Sequence, residues 1–319
     1  MNYRKETFNM FDTVKMKLEN IHIEKDLFET IGNIKTTTYY DRETGVLNDR
    51  YMFEQEDIPY IVYYSNTKNL IIQLSIPKFL YGENVSVINK NDINTFWEKF
   101  EQRIKELLGI VVKRSEWIVL RIDVCWNFNV GNKVNDYIKY LGKKKLPYKS
   151  TYCINQSETV IYKNKSSRIM FYDKQKECKV TKQTEDIIRR AEGLLRMEIN
   201  PSIKTIQELC QDRKAINVLT VKFFKRITES TMNAISFNES ELENMSISYG
   251  WLSLQKLNRV EAIIGFNAIN NFIGEAKAKE IYGSTFYVRK KWVEETGIPQ
   301  LNQLPNVTID YKSLEHNTE

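Results

Sequence analysis

The sequence predicts an α+β fold: a mainly antiparallel sheet with flanking helices, followed by a helical C-terminal region. Three observations predict it. Apolar runs with a two-residue period recur between short polar turns, the pattern of hairpins. Two of these runs are charged in the same way, Val119-Leu-Arg121-Ile-Asp123-Val and Leu194-Leu-Arg196-Met-Glu198-Ile. After Pro201 the alternation stops and helical spacing takes over.

Taken in order, residues 1–10 read as loose and Phe11–Leu18 alternates as a first strand. Residues 19–57 are polar and mixed and order into nothing definite. Pro59–Tyr64, the turn Ser65–Asn69 and Leu70–Ile76 form a hairpin. Asn91-Asp92 caps a helix with Phe96, Trp97, Phe100, Ile104, Leu107 and Leu108 on one face, and Gly109 stops it. Trp117–Phe128 is the first charged strand. Asn132–Leu141 is a short helix ended by Gly142. Glu158–Tyr162 and Arg168–Lys174 make a second hairpin around Lys163–Ser167. Thr184–Glu192 is a helix closed by Gly193, and 194–200 is the second charged strand, closed by Pro201.

The segments 203–218, 221–237 and 240–258 read as helices. Residues 274–282, the turn Gly283-Ser284 and 285–297 read as a helix pair whose second member is basic. Such a pair can read DNA, though it is more often plain packing. The expected division is a catalytic domain at 10–201, a helical region at 202–305 and a tail at 306–319.

The order hairpin, helix, Arg-x-Asp strand is followed by hairpin, helix, Arg-x-Glu strand. An internal duplication would place Asp123 and Glu198 at equivalent positions; chance recurrence of common units is the alternative.

Bulk properties exclude several classes. The 319 residues are 42% hydrophobic, with only 12 Gly and 6 Pro, so a real core forms without long linkers. No apolar run approaches the roughly 18 residues of a membrane span, and the start lacks a signal-like segment. A cytoplasmic location is expected. Cys125, Cys153, Cys178 and Cys210 have no zinc spacing and read as reduced thiols. The two histidines, His22 and His316, rule out histidine metal sites and Ser-His-Asp chemistry. No Gly-x-x-x-x-Gly-Lys loop is present. The net charge of +6 is compatible with a polyanionic partner.

Alternation puts Arg121 with Asp123, and Arg196 with Glu198, on one face of their strands. Charges on apolar strands are costly unless paired or bound to metal. Arg168, Tyr172 and Lys174 share a face, with Ile169 and Phe171 opposite. Tyrosine beside lysine, flanked by two carboxylate-bearing strands, suggests metal-assisted attack on a phosphate. With no histidine near, the ion is oxygen-held, Mg²⁺ or Mn²⁺. Without further information such pairs are most often cross-strand salt bridges, most of the 18 tyrosines serve packing or the surface, and Lys143-Lys144-Lys145 is usually a solvated loop.

An ordered set of landmarks goes further. It comprises Met10-Phe-Asp-Thr-Val, Ile76-Pro-Lys-Phe-Leu-Tyr-Gly82, Arg121-Ile-Asp123, Glu158-Thr-Val-Ile-Tyr162, Lys165-Ser-Ser-Arg168, Tyr172-Asp-Lys174-x-x-Glu177, Leu195-Arg-Met-Glu198 and Gly297-Ile-Pro299. In this order and spacing they resemble the gene II/X family of phage and plasmid rolling-circle replication initiators, and more distantly the Rep-trans initiators. The resemblance implies nicking of one strand of a double-stranded origin and rejoining of the displaced single strand, with a 5′-phosphotyrosine intermediate and a free 3′-hydroxyl. It implies Tyr172 as nucleophile, Lys174 as its companion, and Asp123 and Glu198 as metal ligands. Glu158 is a further metal-ligand candidate, a match whose spacing to the tyrosine varies among such proteins. Arg121, Arg168 and Arg196 would steady phosphates, while Lys143, Lys144, Lys145, Lys163 and Lys165 would meet the DNA backbone. Host helicase, polymerase and single-strand-binding protein are the expected partners. The alternatives are a relaxase- or transposase-like strand transferase, and a non-catalytic origin-binding repressor on the same scaffold.

Overall fold

The computed structural model describes residues 10–86, 88–154, 158–235, 256–296, 307–309 and 311. Ten strands form one antiparallel sheet: β1 (Phe11–Leu18), β2 (Lys35–Tyr40), β3 (Leu47–Phe53), β4 (Tyr60–Tyr64), β5 (Asn69–Ser75), β6 (Ile118–Asn129), β7 (Ser150–Ile154), β8 (Thr159–Lys163), β9 (Arg168–Asp173) and β10 (Leu194–Asn200). Their order is β2-β3-β4-β5-β1-β6-β10-β9-β8-β7. That order is a palindrome about the β1/β6 seam. Outward from β1 run β5, β4, β3 and β2; outward from β6 run β10, β9, β8 and β7.

The architecture thus repeats, in a different phase from the one the sequence suggests. By strand order β6 corresponds to β1, and β10 to β5, so Asp123 is not the counterpart of Glu198. Its counterpart is Asp12. The last residue of β5, Ser75, donates to Asp12 at 2.6 Å. The last residue of β10, Asn200, donates to Asp123, also at 2.6 Å. Local order misleads because the first repeat contains the polar stretch 19–57, where helix α1 (Lys25–Thr30), β2 and β3 lie.

After β5 come α2 (Ile76–Tyr81) and α3 (Lys90–Leu108). The N-cap of α3 is Asn89, two residues before the expected one. Asn89 accepts from the amides of Asn91 and Asp92, and Asp92 accepts in return from the Asn89 amide, a capping box. The buried faces of Phe96, Trp97 and Phe100 pack with Phe79 and Trp117, each large apolar side chain contributing roughly 1.5–3 kcal/mol.

A 3-10 turn at Gly131–Lys133 leads into α4 (Val134–Lys143). Gly142 does not end α4. A Cβ there would meet Cys153 Sγ at 2.8 Å, so glycine permits close approach to β7. Strand β7 is an element that the sequence pattern does not predict, and β9 stops at Asp173, one residue short of the expected end. Asp173 caps α5 (Lys174–Val180), accepting from the Lys176 amide at 3.1 Å. Helix α6 (Glu185–Arg190) then leads to β10.

The chain divides into two units, 1–236 with 307–319, and 237–306, rather than at 201/202. Three helices after Pro201, α7 (Ile203–Leu209), α8 (Ala215–Val218) and α9 (Val221–Ile235), stay with the sheet. Phe224 of α9 meets Phe11 at 6.3 Å and Trp126 at 5.7 Å between ring centroids. Part of the expected tail packs there too. Val307 and Ile309 are buried, and Tyr311 shares a 2.9 Å hydrogen bond with Thr228.

The second unit holds α10 (Leu257–Ile273), α11 (Glu275–Tyr282) and α12 (Thr285–Thr296), gathered on Phe266, Ala278 and Phe286. Most of the expected 240–258 helix, and Gly297-Ile-Pro299, lie outside the described residues. No described helix is long and apolar enough to cross a membrane.

Candidate active site on the central sheet face

Cross-strand partners point to the same face, so the register determines which side chains meet. One row runs Ile154–Thr159–Tyr172–Arg196–Asn127 across β7, β8, β9, β10 and β6. The next is Tyr152–Ile161–Met170–Glu198–Cys125. Ser150–Lys163–Arg168–Asn200 begins a third, which the Asn200–Asp123 bond continues onto β6. The opposite face carries Phe171, Met197, Trp126 and Val124, the apolar core under Phe224.

The polar face is a hydrogen-bonded cluster. Tyr172 donates its hydroxyl to Glu198 Oε2 at 3.3 Å. Glu198 Oε1 lies 3.6 Å from Arg168 Nη2. Asp123 receives Arg121 through two contacts, 3.1 and 2.6 Å, and Asn200 as well. Arg196 is fully buried and does not pair with Glu198. Its Nη2 donates to Asp12 at 2.7 Å and to Cys125 Sγ at 3.2 Å, and its Nη1 to the Asn84 carbonyl at 3.0 Å.

Lys174 is equally buried. It donates to Asn84 Oδ1 at 2.9 Å and Glu177 Oε2 at 2.7 Å. The loop after α2 is therefore clamped to the site by two cations. Glu83 anchors the same loop by pairing with Arg190 of α6.

Four carboxylates (Asp12, Asp123, Glu177, Glu198) face four cations (Arg121, Arg168, Lys174, Arg196), a formal balance. Burial pushes the Glu198 carboxyl above its usual range; Arg196 opposes this, while Asp12 and Asp123 add to it. Burial also pushes the Tyr172 phenol well above 10, against the pull of Arg196 and reinforced by Glu198. The Lys174 ammonium is lowered by burial and then by Arg196, with Glu177 opposing. Among the described residues, both amide atoms of Asn127 and Nε of Arg196 are buried without a hydrogen-bond partner. Orphaned polar atoms beside Tyr172 mark a place that a ligand's polar groups would satisfy.

The structure thus brings together Tyr172, Lys174, Asp123, Glu198, Arg121, Arg168 and Arg196. Glu158 takes a different partner, Lys176, at 2.8 Å. Arg196 is sealed from solvent, so it acts as a buried counter-ion and not as a DNA-backbone contact. Lys143, Lys145, Lys163 and Lys165 are exposed. Lys144 is half-buried over the Tyr140 ring at 5.1 Å, and Lys163 lies 4.7 Å from the Tyr152 ring centroid.

Sequence reasoning missed Asp12, Asn84, Asn127 and Asn200. Only Asp12 carried a signal, an acid inside the apolar strand Met10-Phe-Asp-Thr-Val. For metal, the donor chemistry fits a hard ion, with two carboxylates diagonal to each other on adjacent strands. No described group of three or more His, Cys, Asp or Glu is placed to hold one. Mg²⁺ commonly needs only one or two carboxylates, with waters and substrate phosphate completing its shell.

Fold and polar face together define an antiparallel α+β domain with a buried, charged cluster around Tyr172 and Glu198. The family model for the N-terminal region of the replication-associated gene II protein of phages matches residues 10–212, from the start of β1 through α7. The chain belongs to that family, and its function is that of a gene II-like phage replication initiator. A search of curated proteins found no match.

Proposed function

We propose that the protein initiates rolling-circle replication by nicking one strand of a double-stranded origin with Tyr172. The observation carrying this reading is the Tyr172 hydroxyl, 3.3 Å from Glu198 Oε2 on a buried face that also holds Asp123, Arg196 and Lys174. The Tyr172 oxygen bonds to the scissile phosphorus as the bond from phosphorus to the 3′-oxygen breaks. The 5′ side stays on the enzyme as a phosphotyrosine. The phenol proton passes to Glu198, and the leaving oxygen takes a proton from solvent to become the 3′-hydroxyl. Rejoining reverses these steps and needs no nucleotide, in keeping with the missing phosphate loop.

A phenol held above pH 10 is a weak nucleophile without added positive charge. Arg196 supplies part of that charge by lying on the same row as Tyr172. Lys174 holds the Asn84 loop over the site and is proposed as the companion cation. Asp123 and Glu198 Oε1 would hold Mg²⁺ or Mn²⁺, which when bound offsets charge developing on the phosphate. Glu158 is not needed in this scheme. Host helicase, polymerase and single-strand-binding protein would extend and protect the strands.

The test is a denaturing gel of protein with labelled origin DNA and Mn²⁺. Wild type gives a band resistant to heat and detergent; Tyr172→Phe and wild type in EDTA do not. An adduct persisting in Tyr172→Phe moves the nucleophile elsewhere. Full activity in EDTA removes the metal.

A further inference from the structure

We propose that the exposed face of β7, β8 and β9 is a single-stranded DNA lane that delivers the strand to the Tyr172 site. The register supplies the geometry. The row Tyr152–Ile161–Met170 ends on Glu198, and the adjoining row Ile154–Thr159 ends on Tyr172. Exposure supplies the opening: Tyr152 is 44% and Ile154 43% exposed, while Ile161 and Met170 are only half-buried.

Large apolar side chains displayed on a sheet's last strand invite edge pairing and are normally avoided. Here they line one side of a route flanked by cations. Lys163 and Arg168 are paired neighbours in the third row, and Arg168 also reaches Glu198 at 3.6 Å. At ~4.8 Å between strands, β7 to β10 spans about 14 Å, room for about four stacked nucleotides at ~3.4 Å each.

The composition selects the occupant. Phosphates of any nucleic acid would meet Lys163 and Arg168. Tyr152, Ile154, Ile161 and Met170 gain nothing from a duplex backbone, yet suit bases no longer paired, which stack on aromatic rings without sequence preference. Lys163 already sits 4.7 Å from the Tyr152 ring centroid. A base taking that face would release the ammonium to the neighbouring phosphate. The direction of the lane rests on Tyr172 being the nucleophile; the binding surface itself does not.

The full chain is tested by fluorescence anisotropy with a labelled short oligothymidylate and with a duplex of random sequence. Tyr152→Ala should weaken oligothymidylate binding about tenfold, since base–aromatic stacking is worth ~1–3 kcal/mol per base. It should leave duplex affinity within about twofold, and Tyr152→Phe should bind as wild type. In parallel, oligothymidylate carrying iodouracil is photocrosslinked to wild-type protein and the site mapped by mass spectrometry; adducts on β7–β9 are expected.

Wild-type affinity in Tyr152→Ala, equal losses on both probes, or crosslinks confined to other elements would overturn the lane. If Tyr152→Ala fails to fold, the wild-type crosslink decides. Loss of single-strand binding in Tyr152→Ala, with no covalent adduct in wild type, would keep the lane and refute the nickase. An adduct in wild type, with unchanged binding in Tyr152→Ala, would do the reverse.

Discussion

Glu198 is a carboxyl placed where a carboxylate is expensive. Its value in the folded chain is raised above the ordinary one by burial beside Asp12 and Asp123. The folded protein therefore holds this proton more tightly than the unfolded chain. The contribution is favourable below the unfolded value and is lost as pH rises through the folded one, leaving a net cost at neutral pH. Glu198→Gln should thus melt no lower than wild type at pH 8, with its advantage shrinking toward pH 4.5, while nicking is lost. Thermal melts at the two pH values check this, and a lower melting temperature at pH 8 would contradict it. Arg196 is the reverse case. Arg196→Met removes the partner of buried Asp12 and a bond to the Asn84 loop. Breaking a buried pair from one side costs about 3–5 kcal/mol, so the urea midpoint should fall sharply.

At the scale of elements, the junction before β10 positions the strand that carries Arg196 and Glu198. Gly193, at φ 73°, opens β10, and its carbonyl accepts from the Val130 amide at 2.9 Å. A Cβ there would meet the Gly131 Cα at 2.8 Å. Gly193→Ala combines an unfavourable φ with a backbone clash, and should cost more than about 1 kcal/mol, measured by urea unfolding. The C-terminal end of α4 and the residues after it carry Lys143, Lys144 and Lys145. Replacing all three with glutamine should weaken DNA binding equally for every sequence and flatten the salt slope by up to about 3, since phosphate contacts carry no sequence information. A loss confined to the cognate origin would show that they read sequence. On α12 the cations are engaged within their own unit: Lys290 pairs with Glu275 at 2.7 Å, and Arg289 lies 5.1 Å from the Tyr282 ring.

The whole first unit should respond to alkali through its buried tyrosines. Burial pushes the Tyr137 phenol to about 12, and Tyr51 to about 12 with help from Asp49. Tyr162, fully buried and donating to the Leu141 carbonyl, is raised further. Folding favours the protonated phenol, so this stabilisation is complete below about pH 10 and disappears as pH climbs through about 12. In a titration followed near 295 nm, part of the tyrosinate absorbance should appear only together with loss of the circular dichroism of folding. A smooth titration of all tyrosines while the fold persists would be inconsistent with their burial.

What can be read along the chain is whatever has a short period. Alternation places β1 at 11–18 and β10 at 194–200, puts Arg168 and Tyr172 on one face, and gives α3 its aromatic stripe. These follow from backbone geometry over a few residues. Tertiary structure decided the partners. Arg196 pairs with an aspartate 184 positions away, and Lys174 with an asparagine 90 positions away. Alternation alone puts Lys174 on the strand beside Tyr172. It instead begins α5 and still points inward, because Glu177 pairs with its charge and Asn84 accepts a hydrogen bond from it there. Strand order is not contained in any local period: β1 is held between β5 and β6 by apolar pairing across the seam. That long-range choice set Asp12 beside Arg196 and shifted the phase of the repeat.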